Sequence, residues 1–246
     1  MTPELAQFSD WVLALLPRLF IYPGGLWLLA GVLLVRLAGG GATAIRPGVW
    51  LDDLLRTDLP SLALAWVVVA LLPLPEASIL PSPVDIWVLA ALLALSLLLD
   101  VGLRNPQGLV IKQTGVAITL AVLAPLAAGD LPITAPNDYL NHAPLAFGLT
   151  MAAVVLGVVV ILWLGCRGLA GQVRCLAWLG LALAPIYGDM WTISTVWIFG
   201  AAVIVALGAR GFERIAGTPD DLRGWTRVIL WLPACLALGA LLLAAL

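Results

Sequence analysis

RCLAWLGLALAPIYGDMWTISTVWIFGAAVIVALGAR, residues 174–210, is an apolar run closed at each end by arginine. It is too long for one membrane helix, which needs about 20 residues. Pro185, Gly188 and Asp189 interrupt it near the middle, where proline removes a backbone donor and glycine loosens the chain. The stretch therefore divides into a short helix over 174–187 and a second over 191–209. That division fixes the helix count. With it, eleven of the twelve Lys and Arg residues fall in every second gap between apolar stretches. Without it, Arg210, Arg214, Arg223 and Arg227 change sides. Short basic loops stay on the cytoplasmic face, so the divided reading holds.

Working outward, the other spans are expected at 19–38, 59–80, 84–103, 109–128, 143–164 and 227–246. The expected fold is an all-α polytopic membrane protein of eight transmembrane helices with both termini outside. Arg36, Arg46 and Arg56 share one cytoplasmic gap, Arg104 and Lys112 the next, Arg167 and Arg174 the third. The intervening gaps carry Glu76, Asp85, Asp130, Asp138 and Asp189 and no cation. Residues 1–18 form a separate outer segment. Leu5, Phe8, Trp11, Val12, Leu15, Leu16 and Leu19 recur there at helical spacing, as in a helix lying in the membrane interface. Pro23-Gly24-Gly25 bends the entry to the first span. Residues 19–246 make a single transmembrane domain.

Composition agrees. The 246 residues are 63% hydrophobic and 11% charged, with a mean hydropathy of +1.09. A soluble domain carries about 25% charge. The apolar runs are continuous, unlike the alternating strands of a barrel. Eleven Arg against one Lys suits a GC-rich bacterial genome, so the expected location is a bacterial inner membrane with the basic loops cytoplasmic. No basic cluster with interleaved aromatics points to nucleic acid. Cys166, Cys175 and Cys235 form no CxxC pair, and His142 is the lone histidine. The chain alone is expected to bind no metal, haem or other cofactor. Its first ten residues include Glu4 and Asp10 and lack the positive start of a cleavable signal.

Few charges fall within spans, where they are costly and usually functional. Asp100 and Lys112, near the cytoplasmic ends of the third and fourth spans, could form a proton-relay pair or a plain interfacial ion pair with a snorkelling lysine. Glu76 and Asp189 sit at outer breaks and are further ion-path candidates. The two longer cytoplasmic gaps supply candidates for partner docking: Asp52, Asp53 and Arg56 in one, Asp221, Arg223, Trp225 and Arg227 in and after the other. Asp52-Asp53 with Asp220-Asp221 also invites comparison with the paired aspartate motifs of membrane prenyltransferases. Gly148 with Ala152, and Gly200 with Ile204, have the spacing that lets helices approach closely.

The closing stretch Asp221-Leu222-Arg223-Gly224-Trp225-Thr226-Arg227 through Leu232-Pro233 resembles the end of mitochondrial subunit 1 of NADH-quinone oxidoreductase and its bacterial counterpart, a family shared with energy-converting hydrogenases. Ala70-Leu71-Leu72-Pro73 through Pro83-Val84-Asp85-Ile86 resembles that family's passage between the second and third helices. The resemblance implies a scaffold that packs against other integral membrane subunits and lipid. It implies docking of a cytoplasmic electron-transfer arm, with quinone or ion passage at a shared interface. The gap 165–173 is short and holds no acid, where the family carries a long loop with a glutamate cluster. The expected role is therefore a non-catalytic subunit. The alternative is a self-contained transporter or prenyltransferase-like enzyme.

Overall fold

A computed structural model describes residues 3–40, 46–56, 59–72, 86–100, 115, 144–163, 168–183, 191–216 and 225–244. Every element among them is a helix: α1 (Pro3–Phe20), α2 (Leu26–Gly40), α3 (Pro47–Arg56), α4 (Leu59–Leu71), α5 (Ile86–Asp100), α6 (Pro144–Trp163), α7 (Leu169–Leu183), α8 (Trp191–Ala216) and α9 (Trp225–Ala244). The protein is all-α in its described part, as composition and continuous apolar runs require.

The break inside residues 174–210 is real. α7 and α8 pack against each other, and Gln172 of α7 lines the same cleft as Arg210 of α8. One continuous helix would hold those two residues about 57 Å apart at 1.5 Å per residue. The chain instead turns back on itself.

α7 is the hub. It touches α2, α3, α4, α5, α6 and α8, and every residue from 170 to 181 is buried. Its Leu- and Ala-rich sequence favours helix, and its two polar side chains, Gln172 and Arg174, are both bonded inside the protein. Trp178 and Leu176 fill its flanks, while Gly180 lets Leu72 of α4 close in: a Cβ there would come to 2.5 Å from Leu72 Cδ1. Gly31 of α2 does the same for Leu176 and Phe199. Trp27 stacks on Phe199 with centroids 5.1 Å apart, joining α2 to α8. α6 and α9 form the other main pair.

Several expectations change. The amphipathic outer segment is a helix, but it runs through Pro17 to Phe20. Trp66 Nε1 of α4 donates to its Leu19 carbonyl at 3.0 Å. The first span consequently starts at Leu26 rather than residue 19. The turn needs its glycines, because a Cβ on Gly25 would overlap the Phe20 carbonyl. α3 was not foreseen. Its backbone starts from Arg46, whose carbonyl accepts from Val49 and Trp50, with Pro47 in the first helical position. Its axis is bent 109° from that of α4. Gly148 and Gly200 face open space among the described residues. Close approach is made at Gly31, Gly180 and Gly208, where buried leucine or valine side chains, and the partly buried Phe199, need the room.

Eight membrane-length helices are not what the described residues show. One, Val196–Ile215, is long and apolar enough to cross a membrane alone. The bent pair Pro47–Leu55 and Leu59–Leu71 passes the same test only when taken together. Leu26–Gly40, Val88–Leu99, Pro144–Val160, Leu169–Leu181 and Trp231–Ala240 are apolar but shorter. For α2, α5 and α7 the reason is length: 15 residues each at about 1.5 Å per residue cover about 22 Å, against a hydrocarbon core of about 30 Å. The expected fourth span, 109–128, lies outside the described residues except for helical Gly115, which faces Leu97 of α5.

A charged cleft at one end of the bundle

The end of α2, the start of α7, the end of α8 and the inward face of α3 meet at one end of the bundle. α2 continues one turn beyond Arg36 to Gly40, so Arg36 lies inside the helix end and is 3% exposed. A buried guanidinium needs partners for its charge and donors. Its Nε donates to Gln172 Oε1 at 2.8 Å. Its Nη2 lies 2.6 Å from Asp53 Oδ2, a short ion pair whose alignment falls outside hydrogen-bond geometry. Its guanidinium carbon lies 4.2 Å from the centroid of the Trp50 ring. One arginine thus ties α2 to α3 and α7, with a cation–π contact adding roughly 0.5–2 kcal/mol.

Beside this tie opens a cleft of about 270 Å³. Arg36, Asp53 and Gln172 form its inner wall, and Arg210 and Glu213 of α8 stand across from them. Val35, Val49, Leu162, Ala206 and Ala209 supply apolar surface, and Gly39, Gly40 and Gly168 bring helix ends to its edge. On the other side of Trp50, an open apolar groove of about 520 Å³ runs between Leu29 and Leu33 of α2 and Leu51 and Leu54 of α3.

A second arginine lies deeper. Arg174 is 1% exposed; its Nη1 donates to Ser61 Oγ at 2.6 Å and lies 3.4 Å from both Ser96 O and Ser96 Oγ. The two serines also bond reciprocally: Ser61 Oγ donates to Ser96 O at 2.9 Å and Ser96 Oγ to Ser61 O at 2.7 Å. Small hydroxyl residues let α4 and α5 approach and give the guanidinium lone pairs to bond. This layer has the same end-to-end sense as the cleft, since α4 begins, α5 ends and α7 begins there.

The docking and ion-path candidates divide. Asp53 is paired with Arg36, with its side chain 30% exposed. Asp52 is exposed. Arg56 closes α3, Asp100 closes α5, and Trp225 and Arg227 begin α9; their side chains are outside the described set. Glu76, Lys112, Asp189, Asp221 and Arg223 lie outside the described residues. Among the described residues, no three His, Cys, Asp or Glu side chains gather as a metal site would require.

Arg36 and Arg174 were missed as inner residues because cations were assigned to gaps, and Gln172 because it fell within the expected gap 165–173. The sequence held a clue. Leu37-Ala38 continues the apolar run after Arg36, and Leu169-Ala170 begins it before Arg174. Each arginine therefore lies about one turn inside its helix.

Comparison with protein-family models, curated proteins and solved structures finds no match for this chain.

Proposed function

We propose that the chain crosses a bacterial inner membrane eight times, with both termini outside and its basic gaps in the cytoplasm. In this reading it is a scaffold subunit of a multisubunit redox complex of the NADH-quinone oxidoreductase or membrane-hydrogenase kind. It packs beside other membrane subunits and docks a peripheral arm at its charged end. The observation that carries the membrane reading is the outward face of the bundle. Val88, Leu95 and Leu98 on α5, Val196, Trp197 and Ile204 on α8, and Leu238 and Leu242 on α9 are all exposed. Large apolar side chains exposed on three separate helices suit a bundle that has lipid as its solvent.

The docking part is supported by α3. It lies across the bundle end with Asp52, Leu51 and Leu55 exposed while Trp50 and Asp53 hold it down. The redox part rests on the resemblance of residues 221–233 and 70–86. Quinone at a shared interface belongs to the same reading.

Two experiments test it. A reporter active only outside the cytoplasm, fused after residue 133 or 246, should give signal; fused after 46, 168 or 218 it should give none. Signal at 168 or 218 would overturn the eight-span arrangement. For the scaffold role, a tagged chain extracted in mild detergent should bring other membrane chains and a redox-active soluble chain with it. Asp52→Lys should shed the soluble chain and keep the membrane partners. A chain that elutes alone and is active by itself would sink the scaffold reading in favour of a self-contained transporter or enzyme.

A further inference from the structure

The apolar groove beside α3 has no part in the scaffold role. Its volume of about 520 Å³ falls within the range of about 300–1,000 Å³ usual for sites that take small molecules. Leu29 and Leu33 of α2 line one side, Leu51 and Leu54 of α3 the other, and Leu169 joins them from α7. Apart from the indole nitrogen of Trp50, every lining side chain is hydrocarbon. An extended peptide seated there would leave its backbone N–H and C=O groups without partners, whereas a hydrocarbon chain needs none. The groove is also continuous with the apolar outside of the bundle. Leu29 belongs to both, and Leu26, one turn earlier on α2, is exposed as well. Charge enters at one place. Arg46, which is exposed, directly precedes Pro47 of the lining. Asp52 and Asp53 do not line the groove, and Asp53 is paired with Arg36. A hydrocarbon slot with a cation beside it complements an anionic amphiphile.

We propose that this groove holds an acyl chain of an anionic membrane phospholipid, with the headgroup beside Arg46. α3 is a helix of 10 residues, too short to be stable alone, and it lies at 109° to α4. It roofs the groove in the way an amphipathic helix lies in the membrane interface. The chain fills the space between that roof and the side of α2, and the guanidinium of Arg46 takes the phosphate, which it matches with paired donors. The net negative charge of the headgroup adds a preference over zwitterionic lipids. Asp52 stays outside the groove, so the lipid and a docked arm do not compete for it. The proposal rests on the membrane reading above.

The test places the full chain in nanodiscs with phosphatidylglycerol or phosphatidylcholine carrying a photoreactive group on one acyl chain, and maps the adducts by mass spectrometry. Adducts on Leu29, Leu33, Leu51 and Leu54 should exceed those around Trp197 and Ile204, which are exposed on α8 without a groove, at least threefold. Phosphatidylglycerol should label the groove about fivefold more than phosphatidylcholine, the effect of one cation near a membrane surface. Arg46→Gln should erase that preference and leave the adducts where they are. Leu54→Trp, at an exposed position, should fill the groove, removing its adducts and sparing those on α8. Equal labelling of groove and α8 in the unaltered protein overturns the proposal, and this comparison needs no variant to fold. Groove labelling that ignores both the headgroup and Leu54→Trp overturns it as well, and crosslinks from the groove to another protein chain in place of lipid overturn the lipid as occupant. The reporter fusions report separately on the membrane reading, so a chain that inserts as expected yet shows no groove labelling fails this proposal alone.

Discussion

Arg36→Met is expected to lower the unfolding free energy by about 2–3 kcal/mol, measured by reversible unfolding in mixed micelles. Removing one member of a fully buried ion pair costs about 3–5 kcal/mol, because the other charge is stranded. The value here is lower because Asp53 keeps 30% exposure of its side chain and water recovers part of its solvation. Methionine preserves most of the stem packing, so the loss reports on the guanidinium. Three contacts go at once: the bond to Gln172, the pair with Asp53 and the face of Trp50. Arg36→Lys should fall between, since a lysine keeps the charge but not the planar fork that lets one group reach both Gln172 and Asp53. Asp53→Asn should cost at least as much as Arg36→Met, about 2–4 kcal/mol, because the charge it strands is the guanidinium of Arg36, which is the more buried partner. The double variant should cost less than the sum by about 1–2 kcal/mol. Loss under about 0.5 kcal/mol for Arg36→Met, the level of an ordinary surface change, would mean that α3 is not held to the bundle by this arginine.

Trp178→Ala should cost about 3–5 kcal/mol, the range for emptying a large buried aromatic site, and reduce the yield of folded protein several-fold. Trp178 is 1% exposed on the hub helix, with neighbours on several sides that cannot all collapse inward. Trp178→Phe should cost less than about 1.5 kcal/mol. Its indole nitrogen finds no acceptor among the described residues, so phenylalanine removes an unmet donor while keeping most of the packing. The contrast between the two substitutions is the measurement. Equal losses would show that the indole N–H is bonded after all.

How far the sequence carried the structure depends on which physical signal each element emits. α6, at Pro144–Trp163, matches the expected 143–164 closely, because a long uninterrupted apolar run bounded by polar gaps has one reading. The α7–α8 break was legible from Pro185, Gly188 and the side on which Arg210 had to fall. α3 was not. It is a short amphipathic helix inside a gap, and its stability comes from Arg36 and Gln172, distant in sequence. The cleft was legible only in part: Asp53, one of its groups, was named as a docking residue, but its partner was treated as a loop cation. Charge segregation groups residues by gap, and Arg36 and Arg210, from different gaps, line one cleft. It does not resolve depth, because an arginine one turn inside a helix and one just beyond it count alike. Packing glycines escaped for a similar reason. Gly148 and Gly31 look equivalent in sequence, and only the neighbours Leu176 and Phe199 distinguish the second.

The central position of α7 also constrains the order in which such a chain can be assembled. Synthesis delivers the amino-terminal elements first, so α2, α4, α5 and α6 exist before α7 emerges. In a membrane, α7 entering lipid alone would bring Gln172 and Arg174 into hydrocarbon, with an arginine near a helix centre costing about 2.5–3.5 kcal/mol even on insertion scales. Ser61, Ser96 and Arg36 are already in place to receive those two residues. In that setting the earlier helices offer a polar notch of Ser61, Ser96 and Arg36, and α7 is better seated there than alone in lipid. A ribosome stalled before Leu169 leaves the notch unfilled and Arg36 without its glutamine. In a membrane, that partly built form is the one with polar side chains left facing lipid.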